Sequence, residues 1–151
     1  MTGLFSYPKR KLRKLITQGE YEKAEEFGQE LEAKFSKDPD FLFIMGSMYY
    51  MLNDEEKTLH YINRVLEMNP YDVESLSLKL RVHQFRAENQ EDQELKQNEL
   101  NVVIDCCRKI LDETPDNFQV RDLITELESQ SRLFFNRYTF SKSHSQNSVT
   151  G

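Results

Sequence analysis

Apolar side chains recur every three or four residues along most of the chain, and β-branched alternation over strand-like lengths is absent. Tyr21, Ala24, Gly28, Leu31 and Phe35 make one helical stripe. Leu42, Met45, Tyr49 and Leu52 make the next, and Ile62, Val65 and Leu66 follow a polar Asn53-Asp54 break. The pattern resumes at Leu76, Leu80, His83 and Ala87, then at Leu100, Val103, Cys107 and Ile110, and again at Val120, Leu123, Ile124 and Leu127. Four prolines (Pro8, Pro39, Pro70, Pro115) divide the stripes, and Asn53-Asp54 and Asn69-Pro70 are turn or cap dipeptides whose short polar side chains can bond orphan helix amides. The spacing predicts helices over about 7–17, 20–37, 40–52, 54–68, 72–88, 94–113 and 117–136. The chain is expected to be all-α.

Internal repetition narrows the fold. Residues 39–72 carry Leu42, Met45, Gly46 and Tyr49 in the first helix, then Thr58, Ile62 and Pro70 in the second. These residues resemble the tetratricopeptide (TPR) repeat, with Leu42 in the tryptophan slot and Thr58 in an alanine slot. Gly46 would let the paired helix approach, and Tyr49 would fill the gap beside it. The flanking copies are degenerate. Gly19-Glu20-Tyr21-Glu22-Lys23-Ala24 is similar to the family's turn and second-helix start, while Pro39 closes that repeat about three residues late. Leu76, Leu80, His83, Val103, Cys107 and Pro115 fall in the slots of a third repeat, but Pro70 to Pro115 spans 45 residues against the usual ~34. About eleven extra residues must be absorbed near Glu88–Gln97, by longer helices or by an exposed loop. The resemblance implies a right-handed α-α superhelix of about three irregular repeats (about 5–38, 39–72 and 73–117), closed by a capping helix over 117–136. A short leader (1–4) would precede it. The Ser-rich stretch Tyr138–Gly151 is expected to be a flexible polar tail, too poor in apolar residues to offset its ordering entropy.

Charge alters this picture through its layout. The 151 residues hold 20 basic and 26 acidic side chains, a net charge of −6. All the acids lie between Glu20 and Glu128; five bases precede them (Lys9, Arg10, Lys11, Arg13, Lys14) and three follow (Arg132, Arg137, Lys142). The middle therefore carries 12 − 26 = −14 between basic ends. That balance argues against a general nucleic-acid binder. No apolar run approaches the ~18 residues of a membrane span. Cys106 and Cys107 are adjacent, which suits neither a bridge nor a zinc site; one is expected in a helix interface and the other nearer the surface. With no secretory signal visible, a reducing cytoplasm is the expected compartment.

Catalytic chemistry is hard to assemble from these residues. Glu56 and His60 share a helix face, as a metal pair would, yet a salt bridge or hydrogen bond explains them more simply. His83 reads as a packed histidine, and Asp54-Glu55-Glu56 as a helix start that meets the positive dipole end. No phosphate loop, nucleophile elbow or H-E-x-x-H is present. Neither a metal, a cofactor nor an enzyme is expected.

Binding has more support. The TPR resemblance implies a concave groove lined by first helices. Its candidate residues are Lys9, Arg10 and Arg13, then Phe43, Ser47, Tyr50 and Met51, then Ser77, Arg81, Gln84 and Phe85. Such a floor of aromatic and thioether groups with flanking bases suits a protein or peptide partner bearing apolar anchors and acidic residues. The alternative reading has the same apolar residues fill the solenoid interior, or sit under the terminal helix or a second copy. TPR domains that hold a chaperone's C-terminal carboxylate place lysine, asparagine and arginine at fixed slots. Here Ile44 stands in the asparagine slot, and Asp40 and Glu74 stand where lysines would help, which argues against that subtype. Two alternatives stay open: a self-associating subunit of a larger assembly, and an adaptor for an anionic surface, nucleic acid or membrane, through the basic first helix.

Overall fold

The computed structural model describes residues 7–149, with side chains through Leu133, and the described residues form seven helices and no strand. They are α1 (Tyr7–Thr17), α2 (Tyr21–Phe35), α3 (Pro39–Met51), α4 (Glu55–Met68), α5 (Val73–Glu88), α6 (Gln93–Glu113) and α7 (Phe118–Val149). The periodicity of the sequence located each of them; the main departure is the end of α7. The expected leader lies outside the described residues. The chain divides into two compact units between Val82 and His83, within α5.

In the first unit the helices pair as α1 with α2 and α3 with α4, and α3 also meets α1 and α2. Its core gathers Leu12, Ala24, Phe41, Leu42, Ile44, Met45, Met48, Tyr49 and Val65, all buried. Two close approaches set the pairing. A methyl group on Gly46 would lie 2.8 Å from Cδ1 of Ile62, and one on Gly28 would lie 2.5 Å from Sδ of Met45. Tyr49 closes the space beside Gly46, its ring stacked on that of Tyr61 at 5.7 Å. Thr58 is fully buried in the slot that Ala24 fills one repeat earlier, and its hydroxyl donates to the carbonyl of Asp54 at 2.7 Å, so burial leaves no orphan polar group there.

The turns repeat at the same interval as the cores. After α1, Gly19 adopts φ +77°, with Glu20 N–H donating to Leu15 and Gly19 N–H to Ile16. After α3, Asn53 adopts φ 60°, with Asp54 N–H donating to Tyr49 and Asn53 N–H to Tyr50. Both are left-handed helix ends of the Schellman type, and they lie 53 − 19 = 34 residues apart. Asp38 and Asp72, also 34 apart, cap the starts of α3 and α5 by accepting from Phe41 and Ser75 amides.

In the second unit α6 packs along α7, around Val103, Ile104, Cys106, Cys107, Ile110 and Leu127. The surplus residues of the third repeat are absorbed mainly as helix. α5 has 16 residues against 13 in α3, and α6 has 21 against 14 in α4, so the connection shrinks to residues 89–92. Both cysteines are buried, so the expected division between an inner and an outer thiol does not hold. An α-helical face is wide enough for both when a helix is covered from two directions. Burial and the neighbouring Cys106 push the Cys107 thiol up to about 11. The helical backbone of α7 runs past 136 to Val149, through the stretch expected as a flexible tail. Neither proline nor glycine occurs between Pro115 and Gly151 to interrupt its hydrogen bonds. Among the described residues, no helix is long and apolar enough to cross a membrane.

Candidate interaction face

The expected groove residues separate into three groups once their surroundings are known. Lys9 does not face an open groove: its residue is only 4% exposed. Its ammonium donates to Oδ2 of Asp38 at 2.8 Å, lies 3.9 Å from Asp40, and sits 5.7 Å over the Phe35 ring. The sequence placed Asp40 where a lysine would help a carboxylate site; the reach of Asp38 and Asp40 back to Lys9 depends on how α1 docks. Asp38 uses its other oxygen to accept from the amides of Asp40 and Phe41. Burial alone would raise its pKa, but the Lys9 hydrogen bond, the two amides and the Lys9 charge outweigh that and hold it below its ordinary value.

The second group is Arg10, Arg13, Phe43, Ser47, Tyr50 and Met51. Arg10 and Arg13 are exposed, one turn apart on α1, and among the described residues no acidic side chain pairs with either. On α3, the buried stripe leaves Phe43 and Ser47 half-buried and then Tyr50 38% and Met51 59% exposed. Steps of four and three residues put Phe43, Ser47 and Tyr50 on one face. The Tyr21 hydroxyl lies 3.9 Å from the Met51 sulfur, which ties the end of α3 to α2. Since α1 and α3 are in contact, the two arginines and the aromatic stripe belong to neighbouring helices of one unit.

The third group lies along α5. Ser77 is half-buried and Arg81 exposed in the first unit; Gln84 is half-buried and Phe85 56% exposed in the second. Their spacing places them on one side of α5.

Another face of the first unit, where α2 meets α3 and α4, is polar and its tyrosines and Arg64 are paired. The Tyr49 hydroxyl donates to Glu25 at 3.3 Å, and the Tyr61 hydroxyl to Glu32 at 3.1 Å. Arg64 donates to Glu32 at 2.8 Å and to the Ser36 carbonyl at 2.9 Å. Burial first, then the charge of Glu25, pushes Tyr49 up to about 12, and burial with Glu32 pushes Tyr61 in the same direction. These phenols stay protonated and serve as donors. His60 meets Arg64 at 3.4 Å and the edge of Tyr61, where the sequence suggested Glu56 as its partner. His83 is held by Glu99 at 2.5 Å. Among the described residues, no cluster of His, Cys, Asp or Glu is placed to hold a metal ion.

No family model matches the chain, and no curated protein matches it. Among solved structures, it is similar to the first TPR of Spaghetti (RPAP3) bound to the HSP90 peptide SRMEEVD. The likeness has a TM-score of 0.61 at 15% identity, over 83% of this chain and 93% of that one. The fold is a TPR-like helical repeat. Within that fold, the 34-residue spacing of the Gly19 and Asn53 turns is the period of the TPR-like unit, and Phe43, Ser47 and Tyr50 lie on the first helix of its central repeat. A shallow, open pocket of about 490 Å³ lies between α6 and α7, bordered by Ile104, Arg108 and Glu128, and none of the expected groove residues lines it. An ion pair of 2.8 Å between Arg108 and Glu128 bridges its walls.

Proposed function

We propose that this chain is a non-enzymatic protein-interaction module that takes an extended or helical segment of a partner across α1 and α3. The carrying observation is the exposed end of the α3 stripe, Tyr50 and Met51, continuous with Phe43; the neighbouring helix α1 adds Arg10 and Arg13, exposed and without an acidic partner among the described residues. A tyrosine ring offers large contact area with few rotamers to freeze, and guanidinium forks match carboxylates in pairs. The partner segment would therefore combine an aromatic or aliphatic anchor with acidic side chains. The TPR-like likeness to a peptide-bound structure supports a partner of peptide size. Buried Cys106 and Cys107, neither of them in a disulfide, fit a reducing, cytoplasmic setting.

A terminal carboxylate fits this face less well than acidic side chains. Lys9 has its charge committed to Asp38, and Ile44, in the slot that would need a polar group, is 5% exposed. Of the five leading bases, Lys9 is paired and Lys11 lies 4.6 Å over the Phe27 ring, which supports a protein partner over a polyanion.

Selection from a random-peptide library followed by calorimetry tests the reading. Tyr50→Ala and Arg13→Glu should each weaken the selected peptide by about tenfold or more, with helicity unchanged by circular dichroism. SRMEEVD should not bind. Unaltered affinity in both variants, or a library that yields no ligand, would contradict the assignment.

A further inference from the structure

We infer that α1 is a latch: an element that opens separately from α2–α4 and is held shut by the buried ion pair of Lys9 with the cap of α3. Inside α1 only Lys9 and Leu12 are buried, with Leu15 and Ile16 partly buried against the core, whereas α3 buries seven residues, so apolar burial holds α1 less than α3. Lys9 is the charged member of that pair. Its ammonium reaches across 29 residues to Asp38, and the same carboxylate caps α3 through Asp40 and Phe41 amides. Docking of α1 and the start of α3 thus share one side chain. A buried charge that loses its partner is strongly unfavourable, so weakening this pair favours the open form, in which Lys9 reaches water. The hinge is the turn at Gly19, whose surroundings are empty within 4 Å of a Cβ position. Opening also carries Arg10 and Arg13 away from the α3 stripe, a consequence that rests on the proposed binding face, while the latch itself does not.

Hydrogen exchange on the full chain, without ligand, decides the matter. Asp38→Asn keeps a capping oxygen but removes the nearer carboxylate facing Lys9, leaving Asp40 at 3.9 Å. Amides of α1 should then exchange about tenfold faster or more, with α3 and α4 amides unchanged. Lys9→Met in the Asp38→Asn background should restore slow exchange, because an apolar stem can replace the pair. Unchanged exchange in α1, or acceleration of α1 to α4 together, would overturn the latch. Failure of the double variant to recover would show that the charge is not what holds it.

Discussion

Gly46 sits where a methyl group has no room. The nearest obstacle, Ile62, is fully buried and β-branched, so it cannot swing aside as a methionine tip can. Gly46→Ala gains about 1 kcal/mol of helix propensity and meets an overpacking cost of about 1–3 kcal/mol. A net loss of about 1 kcal/mol should appear as a lower denaturant midpoint with an unchanged slope. Asp38 sets a second test. Its folded pKa lies below its ordinary value, so its contribution is complete above the ordinary 3.8 and disappears as pH falls through the folded pKa. Stability measured against pH should fall less steeply on the acid side in Asp38→Asn than in the parent protein. Gly46, Tyr49 and Thr58 were legible in the sequence because repeat spacing fixes local neighbours. Lys9 was not: its partner lies 29 residues away, and helical periodicity says which face a residue occupies without saying what meets it. Reading Lys9 as a groove base followed from its slot, and the docking of α1 onto the α3 cap overrode that slot.

The helices themselves were almost fully legible, since apolar stripes, capping aspartates and turn dipeptides agree at each boundary. Where they failed to agree, the outcome was set by the absence of breakers. Residues 88–97 hold neither proline nor glycine, so α5 and α6 lengthen until the Asp92 cap restarts the helix and leave a short connection; no such breaker lies in α7 before Val149. The left-handed turns are the opposite case, since each needs one residue at positive φ. Gly19→Ala should cost about 1 kcal/mol by thermal or chemical unfolding, because a Cβ at φ +77° is strained although space is free. Asn53 already tolerates the equivalent conformation, so Asn53→Gly should be close to neutral.

At the scale of the whole molecule, the charge layout of the sequence acquires a structural meaning. The acidic middle supplies caps and the satisfied α2–α4 seam through Glu25, Glu32, Asp38 and Asp54. The basic start divides: Lys9 is spent internally, and Arg10 and Arg13 are exposed on α1, which contacts α3. On the proposed reading the exposed α3 stripe of this TPR-like fold is the recognition surface, and the partner chemistry follows from the residues it offers. The self-associating alternative makes a separate demand, a molar mass by light scattering that rises with concentration. The central claim is tested most directly by nuclear magnetic resonance, titrating labelled protein with the selected peptide. The largest shift changes should map to Phe43, Ser47, Tyr50 and Met51, with Arg10 and Arg13 beside them. Changes concentrated on Glu25, Glu32 and Arg64, or on the α6–α7 pocket, would contradict it.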